Sequence, residues 1–201
     1  MRNSDLYFLY DQVIESLTRL HSFAAMRVRD LDNSNDVEDD VDHVAELLLR
    51  RDLLTFAAST RNFAEASSAT KEMRTIGIPT CQLLPPPVKA PFFTEGAETI
   101  TLYQALSRIL HSSSIKILRS ARDYDYQAAA SSEALLDIIG RRARQKPERS
   151  APLILLKGER DPATILRVRS IVLRSCAYLN GVSDRLSEER SIYLQREFRD
   201  L

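Results

Sequence analysis

Residues 41–71 read VDHVAELLLRRDLLTFAASTRNFAEASSATK, thirty-one positions without a glycine or a proline. Leu47, Leu54 and Ala58 fall on one line at helical spacing, and Leu49, Leu53, Phe56 and Phe63 make a second line beside it. The two lines together predict a long helix whose apolar face is wide enough for several neighbours, as in the central member of a helical bundle. Asn35 and Glu38 have the spacing of a capping box, and Asp36, Glu38, Asp39, Asp40 and Asp42 crowd the end of the helix that favours negative charge. Arg61 continues the line of Leu47, Leu54 and Ala58. A guanidinium on an apolar line needs a partner, so Arg61 is expected to be largely buried against a carboxylate, a hydroxyl or backbone carbonyls.

Outward from this stretch, Leu6, Leu9, Tyr10, Val13, Leu17, Leu20, Ala24 and Val28 recur at three- and four-residue steps and predict a first helix over 4–29, with Asn3 or Ser4 as its cap. Joined to 41–71 by a short acidic turn, it is expected to run antiparallel to it. Leu102, Leu106, Ile109, Leu110, Ile117 and Leu118 predict a third helix over 99–122. Between them, Gly77, Pro79, Pro85, Pro86, Pro87, Pro91 and Gly96 argue against any long helix or paired strand over 74–97. The triple proline there predicts an extended arm, anchored at its end by Phe92 and Phe93. A short helix is expected over 132–143, followed by a basic linker. The run Leu153–Leu156, the turn-forming residues 158–162 and the alternation over 165–169 predict a β-hairpin. Ser170 and Ser183 then start two C-terminal helices, the first stopped by Asn180-Gly181. The expected fold is mainly α: a helical bundle over 1–131, with the linker, the hairpin and the C-terminal helices of 132–201 packed on it.

A chain of 201 residues with this apolar content suits one domain with a core of its own. Net charge is zero, so no global field announces nucleic acid or membrane. The charges are uneven, with 14 basic against 20 acidic side chains in 1–140 and 14 against 8 in 141–201. Arg141, Arg142, Arg144 and Lys146 in the linker and Lys157, Arg167 and Arg169 in the hairpin are the candidate contacts for RNA phosphates, a weak and salt-dependent kind of binding. Cys81 and Cys176 have no metal-ligand spacing and fit a reducing, cytoplasmic setting. Asp32, Ser34 and Asp36 have the alternate spacing of a calcium loop but lack its glycine and closing glutamate, and a capping turn explains them. No apolar run approaches the ~20 residues of a membrane span. There is no phosphate loop, dinucleotide fingerprint, nucleophile elbow or zinc signature, so no cofactor or metal is expected.

Thr60-Arg61-Asn62-Phe63-Ala64-Glu65, an Arg-polar pair on a helix of a helical bundle, resembles the HEPN superfamily of prokaryotic defence and toxin proteins. That resemblance implies a metal-independent ribonuclease acting as a dimer, with an arginine, then a polar residue and, four to six residues beyond that polar residue, a histidine on the same helix. This chain departs from the pattern with Ala66, Ser67 and Ser68 where the histidine stands. The nuclease reading therefore requires Arg61 and Asn62 to be completed by His111 from the third helix, because cleavage needs both a base for the 2′-hydroxyl and a cation for the phosphorane. That nuclease is the alternative reading; the preferred reading is a non-enzymatic helical interaction protein, self-associating as a homodimer through its wide apolar face or holding a protein partner.

Overall fold

The computed structural model describes residues 3–25, 36–83, 93–118, 152–158, 163–190 and 192–194. It is mainly helical, with two small antiparallel sheets. Helix α1 (Asn3–Ala25) buries Leu6, Tyr10, Val13, Leu17 and Leu20, the stripe that its sequence spacing demands. Helix α2 (Asp36–Ala66) runs antiparallel to it: Tyr10 meets Phe63 with ring centroids 5.6 Å apart, Ser16 meets Ser59 at 3.4 Å, and Arg19 meets Asp52 at 3.7 Å. The small Ser16–Ser59 pair lets the two backbones approach closely at the middle of the crossing.

The two apolar lines of α2 have different fates. Leu49, Leu53, Phe56 and Phe63 are buried, with Ala57, Thr60 and Ala64 alongside. The neighbouring line faces outward, with Leu47 49 % and Leu54 41 % exposed and Ala58 exposed as well. The helix closes in a Schellman turn. Ser68 takes a left-handed φ of 58°, the Ala69 amide donates to Ala64 at 2.8 Å, and the Ser68 amide donates to Glu65 at 3.2 Å. The proposed capping box at the other end of α2, the acidic turn, the calcium-like spacing, the triple proline, Phe92, the helix over 132–143 and the linker arginines all lie outside the described residues and side chains.

After the short helix α3 (Thr70–Met73), the chain departs from expectation. The span 74–97 contains a paired strand, β1 (Gly77–Leu83), and the start of its antiparallel partner, β2 (Phe93–Thr101). Pro79 cannot donate to a ladder, yet it stays in register opposite Thr99; the register shifts just after it, where β2 carries two extra residues between Glu95 and Thr99. The helix expected over 99–122 is divided. Thr99 to Thr101 belong to β2, α4 occupies Leu102–His111, and Ser114–Leu118 form β3. Ser112 and Ser113 end the helix because weak helix formers are followed by the β-branched Ile115 and Ile117, which find strand partners.

Strand β4 (Leu153–Lys157) lies between β3 and β5 (Thr164–Arg167), antiparallel to both. Leu153 pairs with Arg167 and Leu156 with Thr164. On its other side Leu153 pairs with Leu118 and Lys157 with Ser114. Ile154 and Leu156 enter the main core, while Leu153 and Leu155 meet Leu118 and Cys81 on the opposite face. All four are buried, so a continuous apolar run is what this central strand requires. Arg169, expected in the hairpin, lies instead in α5 (Val168–Arg190). The two expected C-terminal helices are one, since α5 passes through Asn180-Gly181 without a break. Tyr178, Leu179, Val182, Ser183 and Leu186 are all buried around that point, and their packing outweighs the cost of a helical glycine. One main core draws on α1, α2, β1, α4, the three-stranded sheet, α5 and Ile192 to Leu194.

Candidate functional site

Arg61 follows the fully buried Thr60 on α2 and lies at the margin of the core, half-buried. Its Nη2 donates to the Tyr103 hydroxyl at 3.4 Å, and its Cζ stands 5.2 Å from the centroid of the Tyr103 ring. The expected hydroxyl partner is therefore there, and the burial is less complete than the sequence spacing implied. Tyr103 is held by the start of α4. Thr101 caps that helix, its Oγ1 accepting from the Gln104 amide at 3.1 Å, while the Thr101 amide donates to Gln104 Oε1 at 2.8 Å. With both halves of this box closed, the second residue of the helix has a fixed backbone and a defined place for its ring.

A second guanidinium reaches the same ring. Arg74 ends α3 and places its Cζ 4.5 Å from the Tyr103 centroid. Two arginines thirteen positions apart, on α2 and at the end of α3, thus converge on a tyrosine from α4, and neither arginine has a carboxylate partner among the described residues. Glu72, close to Arg74 in sequence, is held instead by Arg185 Nε at 2.7 Å. Arg185 also donates from Nη2 to the Ser67 carbonyl at 3.0 Å and so caps the end of α2.

Asn62 is exposed beside Arg61 on α2. His111 is the exposed last residue of α4, eight positions beyond Tyr103, which is about 12 Å along the helix axis. No hydrogen bond or ion pair joins it to Arg61. At the positions of the absent histidine, Ser67 is fully buried and donates to the Phe63 carbonyl at 2.7 Å.

Among the candidate phosphate contacts, Lys157 and Arg169 are exposed, but Arg167 is bound to Glu95 at 3.3 Å. The register places Lys157 and Arg167 at opposite ends of β4, some ~13 Å apart along the strand. Arg141, Arg142, Arg144 and Lys146 lie outside the described residues. The two thiols are shielded: burial first, then the charge of Glu95, pushes Cys81 up to about 12, and burial pushes Cys176 up to about 11. Among the described residues no cluster of three metal-ligating side chains occurs, and no helix is long and apolar enough to cross a membrane.

No family model, no curated protein and no solved structure matches this chain. What it does must be argued from its own side chains.

Proposed function

We propose that this chain is a non-enzymatic interaction protein that self-associates as a dimer through the outward line of α2. The observation that carries this reading is the run of exposed apolar side chains on one helix: Val44 at 52 %, Leu47 at 49 %, Leu48 at 37 % and Leu54 at 41 % exposure. With Ala58 the line extends about 21 Å, the dimension of a helix-pairing surface rather than of scattered apolar residues. Arg51 stands at its centre, yet its charge is matched: Nε and Nη2 reach Asp52 Oδ1 at 3.3 and 3.2 Å. Its aliphatic stem remains available to cover a neighbouring helix. A stable dimer needs roughly 800 Å² from each partner, so the stripe forms the centre of such an interface and flanking residues complete it.

Sedimentation equilibrium at micromolar concentration tests the reading, beside the double variant Leu47→Asp and Leu54→Asp. Both side chains point outward, so the variant is expected to keep its fold and lose the dimer. A native chain that sediments as a strict monomer removes the proposal, and a dimer indifferent to both substitutions moves the interface elsewhere.

The nuclease alternative asks Arg61 and His111 to share one phosphate, and no contact between them supports it. Without a positioned imidazole, the ~10²–10⁴-fold help of a general base is missing. We expect a mixed RNA substrate in EDTA to survive incubation with the pure protein. Cleavage that Arg61→Ala and His111→Ala each abolish would reverse this.

A further inference from the structure

We propose that Arg61, Arg74 and Tyr103 form a binding site for a phosphate monoester, independently of the α2 stripe. The other half-buried arginines among the described residues have their charge matched or their donors used: Arg50 meets Glu46 at 3.9 Å, Arg167 meets Glu95 at 3.3 Å, Arg185 meets Glu72 at 2.7 Å, and Arg108 donates to Thr164. Among the described residues Arg61 finds one long bond, to a neutral phenol, and most of its five N–H donors meet no protein acceptor there. Arg74 then brings a second positive charge to the same ring. Two like charges gathered on one aromatic side chain repel each other, and an anion shared between them relieves that repulsion.

The chemistry selects the anion. Each guanidinium is a planar fork that fits two oxygens of a tetrahedral oxyanion, and the Tyr103 hydroxyl supplies a further donor at the same edge. A dianion satisfies both forks and cancels both charges, whereas a carboxylate cancels one. Tyr103 also stands in the first turn of α4, where the helix dipole adds to the positive potential. The capping box fixes the backbone that carries Tyr103 before any ligand arrives, so only side-chain ordering remains on binding. Arg74 is exposed, which leaves the site open to solvent from its own side.

The test is a titration of the full chain with inorganic phosphate, AMP and adenosine at constant ionic strength, reading the arginine Nε–H resonances by NMR. Inorganic phosphate and AMP are expected to shift two arginine signals saturably, and adenosine to shift neither. Equal affinity for phosphate and AMP assigns recognition to the phosphoryl group alone, and tighter AMP binding adds contacts to the ester; both support the site. Arg74→Gln, an exposed position whose loss leaves the fold intact, is expected to weaken AMP binding about tenfold, the scale of one charge-assisted pair. Arg61→Lys keeps the charge and loses the fork, with a similar expected loss and an unchanged circular-dichroism melt. The proposal is overturned by an absence of saturable shifts, or by AMP affinity unchanged in Arg74→Gln. Tighter binding of an RNA lacking a terminal phosphate overturns it too, in favour of a polymer backbone.

Discussion

Gly181 stands inside α5 with nothing within 4 Å of where a Cβ would be, and its backbone is helical. A glycine in that setting gives up more chain entropy than alanine and gains nothing from its bareness. Gly181→Ala is therefore expected to stabilise the protein by about 1 kcal/mol, seen as a rise of roughly 2–4 °C in the thermal midpoint. A midpoint that falls would show that α5 bends or opens there. The same residue explains one error of reading. Asn180-Gly181 has the composition of a helix stop, and only the burial of Tyr178, Leu179, Val182 and Leu186 on both sides overrides it. Arg61 is legible only in part. Its place on the helix is visible in the spacing, but the line it continues, Leu47, Leu54 and Ala58, faces outward, and neither its half-buried setting nor Tyr103 and Arg74 as its neighbours follow from that spacing. Aromatic and guanidinium groups contributed by separate segments leave no spacing signal.

At the scale of the element, the start of α4 carries a signal in the sequence that a stronger one masks. Thr101-Glx-type capping pairs are recognised by their three-residue step, and Thr101 to Gln104 has it. The apolar stripe on either side of the cap concealed it, because Ile100, Leu102 and Leu106 suit one continuous helix as well as a strand followed by a helix. Replacing Thr101 by Ala removes the oxygen that holds the Gln104 amide, at an expected cost of about 1 kcal/mol. Urea unfolding checks this: the midpoint should fall while the slope stays constant. A midpoint equal to the parent's would mean that β2 and the core hold the helix start without the cap. The strand content of 77–83 was hidden for a different reason. Proline is disfavoured within paired strands, and the register shift that follows Pro79 has no sequence signature of its own.

Across the whole molecule, β3 precedes the expected division at residue 131 and pairs with β4, which follows it. Helical periodicity is local, and it suffices to predict the helices α1 and α2. Strand pairing is set by which distant segment completes the sheet, and the sequence of Ser114–Leu118 alone does not name its partner. The thiols report on the integrity of the assembled core. Cys81 and Cys176 are each 6 % exposed, and burial makes both weaker acids than an ordinary thiol of pKa 9.0. A thiol-directed reagent at pH 8 should label neither in the native protein and both in urea. Rapid labelling of the native chain would place these residues in an open region. Because the folded chain keeps both protons while the unfolded chain releases them, this contribution is complete below pH 9.0 and declines as pH rises towards about 11 and 12. Stability should therefore fall on the alkaline side.

Arg185 closes a carbonyl at Ser67, 118 positions before it in the chain. A ribosome adds residues in order, so α2 leaves the exit tunnel long before the side chain that finishes its end has been made. Until Arg185 emerges, the nascent α1–α2 pair exposes the leucines and phenylalanines that α4 and α5 later cover. A chain halted before α5 is therefore expected to leave these side chains uncovered and to be cut by protease faster than the full chain.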